Sequence, residues 1–134
     1  MKPLRLLGVF LSGLTKYVLP TMKPCFYSFF NSLSTWQRET FGDSESRPAL
    51  FPCRHLIKEL QEEVLPHLEW AYVGHNAHLL SELADAKILL DEVVWRSGFT
   101  AEQWLRACNA KLAENKLRTW QKPNEQGVIE HVRT

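Results

Sequence analysis

Alanine is absent from the first 48 residues of this 134-residue chain. The opening stretch MKPLRLLGVFLSGLTKYVLP sets Lys2 and Arg5 ahead of an apolar run from Leu6 to Leu14, which is how a secretory leader begins. With no alanine before Ala49 there is no A-x-A cleavage site, and Lys16 interrupts the run well short of a bilayer's width. Both secretion and membrane insertion are disfavoured, and residues 1–35 read as an N-terminal extension, loosely tied or a short helix. Cysteine is sparse too. Cys25, Cys53 and Cys108 are odd in number and form no CxxC pair, which argues against a disulfide framework and against a thiolate zinc site. Charge of one sign is lacking: the net charge is +1, so nothing marks the chain as a nucleic-acid binder. Repeats and low-complexity tracts are missing, and only VIEHV near the C-terminus alternates like a strand.

Apolar residues make up 45% of the chain and charged residues 23%, the balance of one ordinary globular domain with a modest core. Helical spacing dominates. FYSFFNSLSTWQRETF, 26–41, repeats apolar residues at helix period and stops at Gly42. GDSESRP, 42–48, is a loop. A second helix is predicted from about Arg54 to Leu65, where Pro66 ends or kinks it. A third runs from about Ala77 to Ser97, with Gly98 as its C-terminal cap. A fourth starts with Thr100 as N-cap, Gln103 completing a capping box and Phe99 stapling against Trp104, and continues to about Trp120. The fold class is therefore all-α, a bundle of about four helices.

The second helix carries Glu59, Glu62 and Glu63 beside an apolar stripe, with His55 on the acidic side. Taken alone that is a solvated face. The third helix is apolar almost all round, the mark of a buried element, and would draw Glu82 and Asp85 inside with it. Uncompensated buried carboxylates cost several kcal/mol each. Two i, i+3 pairs on two packing helices thus call for positive charge between them. A hard cation of the Mg²⁺ kind, which takes carboxylate oxygens and keeps positions for water and phosphate, is one answer. Pairing with lysine or arginine is the other, although Lys58 and Lys87 fall off the carboxylate face of the helical wheel. On the fourth helix Lys111, Asn115 and Arg118 form a stripe with Lys116 beside it. It suits phosphate oxygens, or else is a basic surface favourable at a helix C-terminus.

Glu59-Leu-Gln-Glu62 followed by Glu82-Leu-Ala-Asp85 resembles the ExxE…ExxD signature of MazG-like all-α nucleoside triphosphate pyrophosphohydrolases. More narrowly, WQRETFG at 36–42, HLIKE at 55–59, ELADAKILLDEVVWRSGFT at 82–100, KLAENKLRTW at 111–120 and GVIEHVR at 127–133 resemble, in order, the phage and prophage dATP/dGTP pyrophosphohydrolase family. The resemblance implies a pyrophosphohydrolase domain over 36–134 and a cytoplasmic enzyme, in keeping with the cysteine usage. It implies Mg²⁺, with Mn²⁺ as the alternative, held by Glu59, Glu62, Glu82 and Asp85. It also implies a triphosphate bound by Lys111, Asn115, Lys116 and Arg118, and release of pyrophosphate to leave a monophosphate. Glu59 or Glu62 would be the base. His55, Glu63 and Asp91 have no assigned role: His55 suits an orienting residue, and Asp91 projects from another side of its helix. Trp36 or Trp120 would meet the base, or else pack in the core.

Members of such families generally assemble as homodimers or higher oligomers, and neither nucleic acid nor a membrane is expected as partner. Two other readings use the same bundle. One is a nucleotide-binding module that has lost the chemistry, and the other is an interaction protein whose carboxylates face water.

Overall fold

The computed structural model describes residues 25–70 and 77–133. The apolar run from Leu6 to Leu14 and all of residues 71–76 lie outside the described residues. The fold is all-α, with helices α1 (25–41), α2 (Leu50–Glu59), α3 (Leu65–Trp70), α4 (Ala77–Arg96) and α5 (Ala101–Leu117). A π-helical turn, Leu60–Val64, joins α2 to α3 without a break, so four helical rods result. The chain divides into two compact units, one ending at Ala101 and the other starting at Glu102.

In the first unit α1, α2 and α4 form the bundle. Phe30, Leu33 and Gln37 are buried along α1, and their spacing of three and four places them on one seam. The helix stops at Gly42, whose φ of +90° lets its N–H return to the Arg38 carbonyl at 3.0 Å. A Cβ there would lie 2.3 Å from the Ser46 hydroxyl oxygen, so glycine is required on two counts. Gly98 ends α4 as the sequence predicts: its N–H bonds the Trp95 carbonyl and that of Phe99 bonds Val94, the paired bonds of a Schellman cap.

Four expectations about the first unit need correction. First, α2 begins at Leu50, not Arg54, because Pro52 sits in the first turn, where no N–H is needed. Second, Pro66 does not stop the rod. In the π turn just before it the Leu65 N–H reaches back five residues to Leu60. That widened turn takes up the break in the regular ladder that proline forces.

Third, α4 is not buried all round. Its C-terminal half supplies Ala86, Leu89, Val94 and Trp95 to the core, while Leu80, Leu83 and Leu90 remain exposed. Glu82 is half-buried and Asp85 exposed, so α4 does not draw them deep inside. Fourth, Lys58 is not out of reach of the carboxylates: it pairs with Glu62 at 3.5 Å.

The second unit holds α5 and the tail. The helix ends at Leu117 rather than Trp120, because the tail folds back. Trp120 forms an isolated antiparallel bridge with His131, flanked by Gln121 N–H to the Glu130 carbonyl and Val132 N–H to the Thr119 carbonyl. Among the described residues there is no strand beyond this bridge, and no helix is long and apolar enough to cross a membrane.

Candidate active site

In the first unit three helices and one loop enclose a cleft of about 510 Å³. Trp36, Gln37 and Phe41 come from α1, Arg47 from the loop, His55 and Glu59 from α2, and Asp85, Ile88, Leu89 and Glu92 from α4. The α4 members follow from helix period: Glu82, Asp85, Leu89 and Glu92 stand at i, i+3, i+7 and i+10, one continuous face. Glu82 is half-buried and Asp85 exposed, while Leu89 and Glu92 farther along are buried. Trp36 and Phe41 meet edge to face with ring centroids 5.5 Å apart, forming an aromatic wall.

The deep end of the cleft is a buried polar network, in which Arg96 Nη2 has no hydrogen-bond partner. Glu92, only 1% exposed, accepts hydrogen bonds from Arg47 Nε at 2.8 Å and Arg96 Nε at 2.7 Å. Gln37 Nε2 donates to its other oxygen at 3.4 Å, and the Gln37 side-chain carbonyl accepts from Trp95 Nε1 at 2.7 Å. Both guanidinium groups of Arg38 and Arg96 lie against the Trp95 ring, at 4.7 and 4.1 Å. Arg96 Nη1 also donates to the carbonyls of Gly42, Asp43 and Arg47, tying the loop to α4. Within that loop Asp43 accepts from the Ser46 N–H and hydroxyl and from the Glu45 N–H. The Ser46 backbone bond first, then its hydroxyl, holds the Asp43 carboxyl below the usual value.

The expected metal ligands divide among different surroundings. Glu59 lines the cleft with its side chain 20% exposed, and His55 Nε2 stands 3.0 Å from its Oε1. Asp85 lines the same cleft from α4. Glu82, one turn before Asp85, has a side chain 14% exposed that faces His78 Nε2 at 3.4 Å. Glu62 does not line the cleft; it is turned outward to Lys58. No three of these four carboxylates bring oxygens within 4.8 Å of one another. By chemistry Glu59 and Asp85, which both line the cleft, are oxygen donors of the kind a hard cation takes, and Glu82 lies one turn along the helix from Asp85.

Glu63 instead falls into a set with His67 and His78, whose ligand atoms all lie within 4.8 Å of one another. Asp91 is buried on another face of α4 and takes Lys87 Nζ at 2.6 Å. Sequence reasoning missed Glu92, Gln37 and Arg47. The i, i+4 pair Glu92–Arg96 on the most apolar part of α4, continuing the face beyond Leu89, was the available signal.

The second unit carries the basic stripe. Lys111 Nζ donates to Glu114 Oε2 at 2.8 Å, Arg118 Nη2 bonds Glu114 Oε1, and Arg118 Nη1 donates to Asn115 Oδ1 at 3.0 Å. The Lys111 hydrogen bond, helped by the Arg118 charge, lowers the Glu114 pKa. Lys116 is exposed and Trp120 Nε1 donates to the Asn115 carbonyl at 3.2 Å. Arg118, His131 and Arg133 line a separate open pocket of about 630 Å³ in this unit.

A family model described as dATP/dGTP pyrophosphohydrolase matches residues 29–134. No curated protein and no solved structure matches the chain.

Proposed function

The chain belongs to the dATP/dGTP pyrophosphohydrolase family, hydrolases acting on acid anhydrides, and from that premise we propose that it cleaves purine deoxynucleoside triphosphates between the α- and β-phosphorus. Water attacks the α-phosphorus, the bond to the bridging oxygen breaks, and pyrophosphate leaves with the electron pair. The other product is the deoxynucleoside monophosphate. The observation that carries this reading is the cleft itself, which Glu59 from α2 and Asp85 from α4 both line together with the Trp36–Phe41 wall.

Glu59 is the better base. Its carboxylate is partly shielded and oriented by His55 at 3.0 Å, whereas Glu62 is exposed and paired with Lys58. Mg²⁺, with Mn²⁺ as the alternative, would be held by Glu59, Glu82 and Asp85, with Glu62 as the further ligand suggested by the ExxE spacing, and would supply charge to the phosphate oxygens and acidify water. Trp36, half exposed on the cleft wall, offers a face on which a purine can stack, a contact worth about 1–3 kcal/mol. Trp120 is engaged with Asn115 and His131, which favours Trp36 for this role. Phosphate binding is assigned to Lys111, Asn115, Lys116 and Arg118 on residue type and spacing.

The test is pyrophosphate release from a panel of deoxynucleoside triphosphates with and without Mg²⁺. The expected result is Mg²⁺-dependent release, fastest with dATP or dGTP, and a kcat about 10² lower or more in Glu59→Ala. A melting temperature raised by Mg²⁺ and dATP with no release from any triphosphate would reduce the protein to a binding module.

A further inference from the structure

We propose that Glu63, His67 and His78 form a second metal site, for a transition-metal ion of the zinc class, outside the acidic cleft. The three ligand atoms lie within 4.8 Å of one another and come from the π turn, α3 and the first turn of α4. The two imidazoles approach with ring centroids 4.6 Å apart. Two nitrogen donors and one carboxylate are a zinc, cobalt or nickel set rather than a magnesium set, and three protein ligands leave one position for water.

The partners of the two histidines support this independently. His67 Nδ1 lies 2.6 Å from the Glu63 carbonyl oxygen. A carbonyl only accepts, so Nδ1 carries the proton and the lone pair is on Nε2. His78 Nε2 lies 3.4 Å from the Glu82 carboxylate, which orients the second ring. An imidazole that donates one N–H to a carbonyl or carboxylate and keeps the other nitrogen for an ion is the usual arrangement around bound metals. The π turn is what makes the set. Its wider turn advances each residue by less than the 100° of a regular helix, so residues beyond it are rotated relative to α2. Glu63 and His67, four apart, then share the face that meets His78. A bound ion would join α3 to α4 across the sequence between them, and its neighbour through His78 is Glu82, an expected ligand of the acidic cleft.

Co²⁺ is the probe, because it replaces zinc and its visible absorption reports coordination. Titration of the full-length chain should give d–d bands that millimolar Mg²⁺ leaves in place and that one equivalent of Zn²⁺ removes. His67→Ala and His78→Ala should each weaken Co²⁺ binding by at least about tenfold, and Zn²⁺ should raise the melting temperature of the wild type but not of the double variant. Glu59→Gln should leave the bands unchanged. Absence of visible bands overturns the proposal. So do bands that survive the double variant, bands that vanish in Glu59→Gln, and a sulfur-to-cobalt charge-transfer band, which would place the ion on cysteine. None of these outcomes bears on pyrophosphate release, so the two readings fail separately.

Discussion

Glu92 is the residue on which the first unit turns. It is buried, it is ionic, and its oxygens receive two guanidinium groups and one amide from three different segments. Removing one member of such a cluster leaves the others charged and dry, which costs about 3–5 kcal/mol, whereas an exposed pair such as Lys58–Glu62 contributes about 1 kcal/mol at most. Urea unfolding should show Glu92→Ala destabilised by about that larger amount and Glu62→Ala by less than about 1 kcal/mol; equal effects would mean that the network does not anchor the unit. Asp43 gives a pH-dependent counterpart. Its folded pKa is lowered by Ser46, so its stabilisation is complete above the unfolded value near 3.9 and is lost as pH falls from there through the folded value. Chemical denaturation of the wild type and Asp43→Asn should differ at pH 7 and begin to converge only as pH falls below about 4. A gap that stays constant with pH would remove the carboxylate from the loop's stability.

Among the elements, the rod α2–π–α3 behaves least as its sequence suggests. Proline inside a regular helix removes one bond and clashes with the carbonyl four residues back, at a cost of about 3 kcal/mol. Here the rod accommodates Pro66 by one wide turn, in which the bond from Leu65 reaches back five residues to Leu60. Deleting the exposed Gln61 should force the turn back to regular spacing against Pro66. Thermal unfolding should then show a loss of about 3 kcal/mol, most of it restored by adding Pro66→Ala. Recovery without the second change would show that the wide turn exists for another reason. Helix α4 shows the opposite division. Its period and its C-terminal cap are regular, but only the half that meets α1 and the 42–48 loop is buried.

For the whole molecule, the apolar residues that the first unit leaves outside are its most telling surface feature. Leu80 is 70% exposed, Leu83 and Leu90 about two-fifths, and Ile57 and Leu60 of α2 are exposed as well. Apolar surface of this extent on so small a unit is commonly covered by a second copy. We expect a homodimer in sedimentation equilibrium and expect Leu80→Glu with Leu83→Glu to shift it to monomer. A wild type that sediments as a monomer at micromolar concentration would overturn this expectation.

The sequence by itself determined the class, the existence of the helices and two of their stops. Helix period and the Gly42 and Gly98 caps are local facts, set by groups within a turn of one another. It also carried the family, through motifs whose order survives in the chain and whose match spans residues 29–134. Only tertiary structure decided the fate of each carboxylate. Period alone groups Glu59, Glu62, Glu63, Glu82 and Asp85. The folded chain turns Glu62 towards Lys58, carries Glu63 to His67 and His78, keeps Glu59 and Asp85 on the cleft, and buries Glu92 between two arginines. The physical reason is that a helix is closed by bonds between near neighbours, whereas the cost of a charge depends on what the rest of the chain brings within about 4 Å of it.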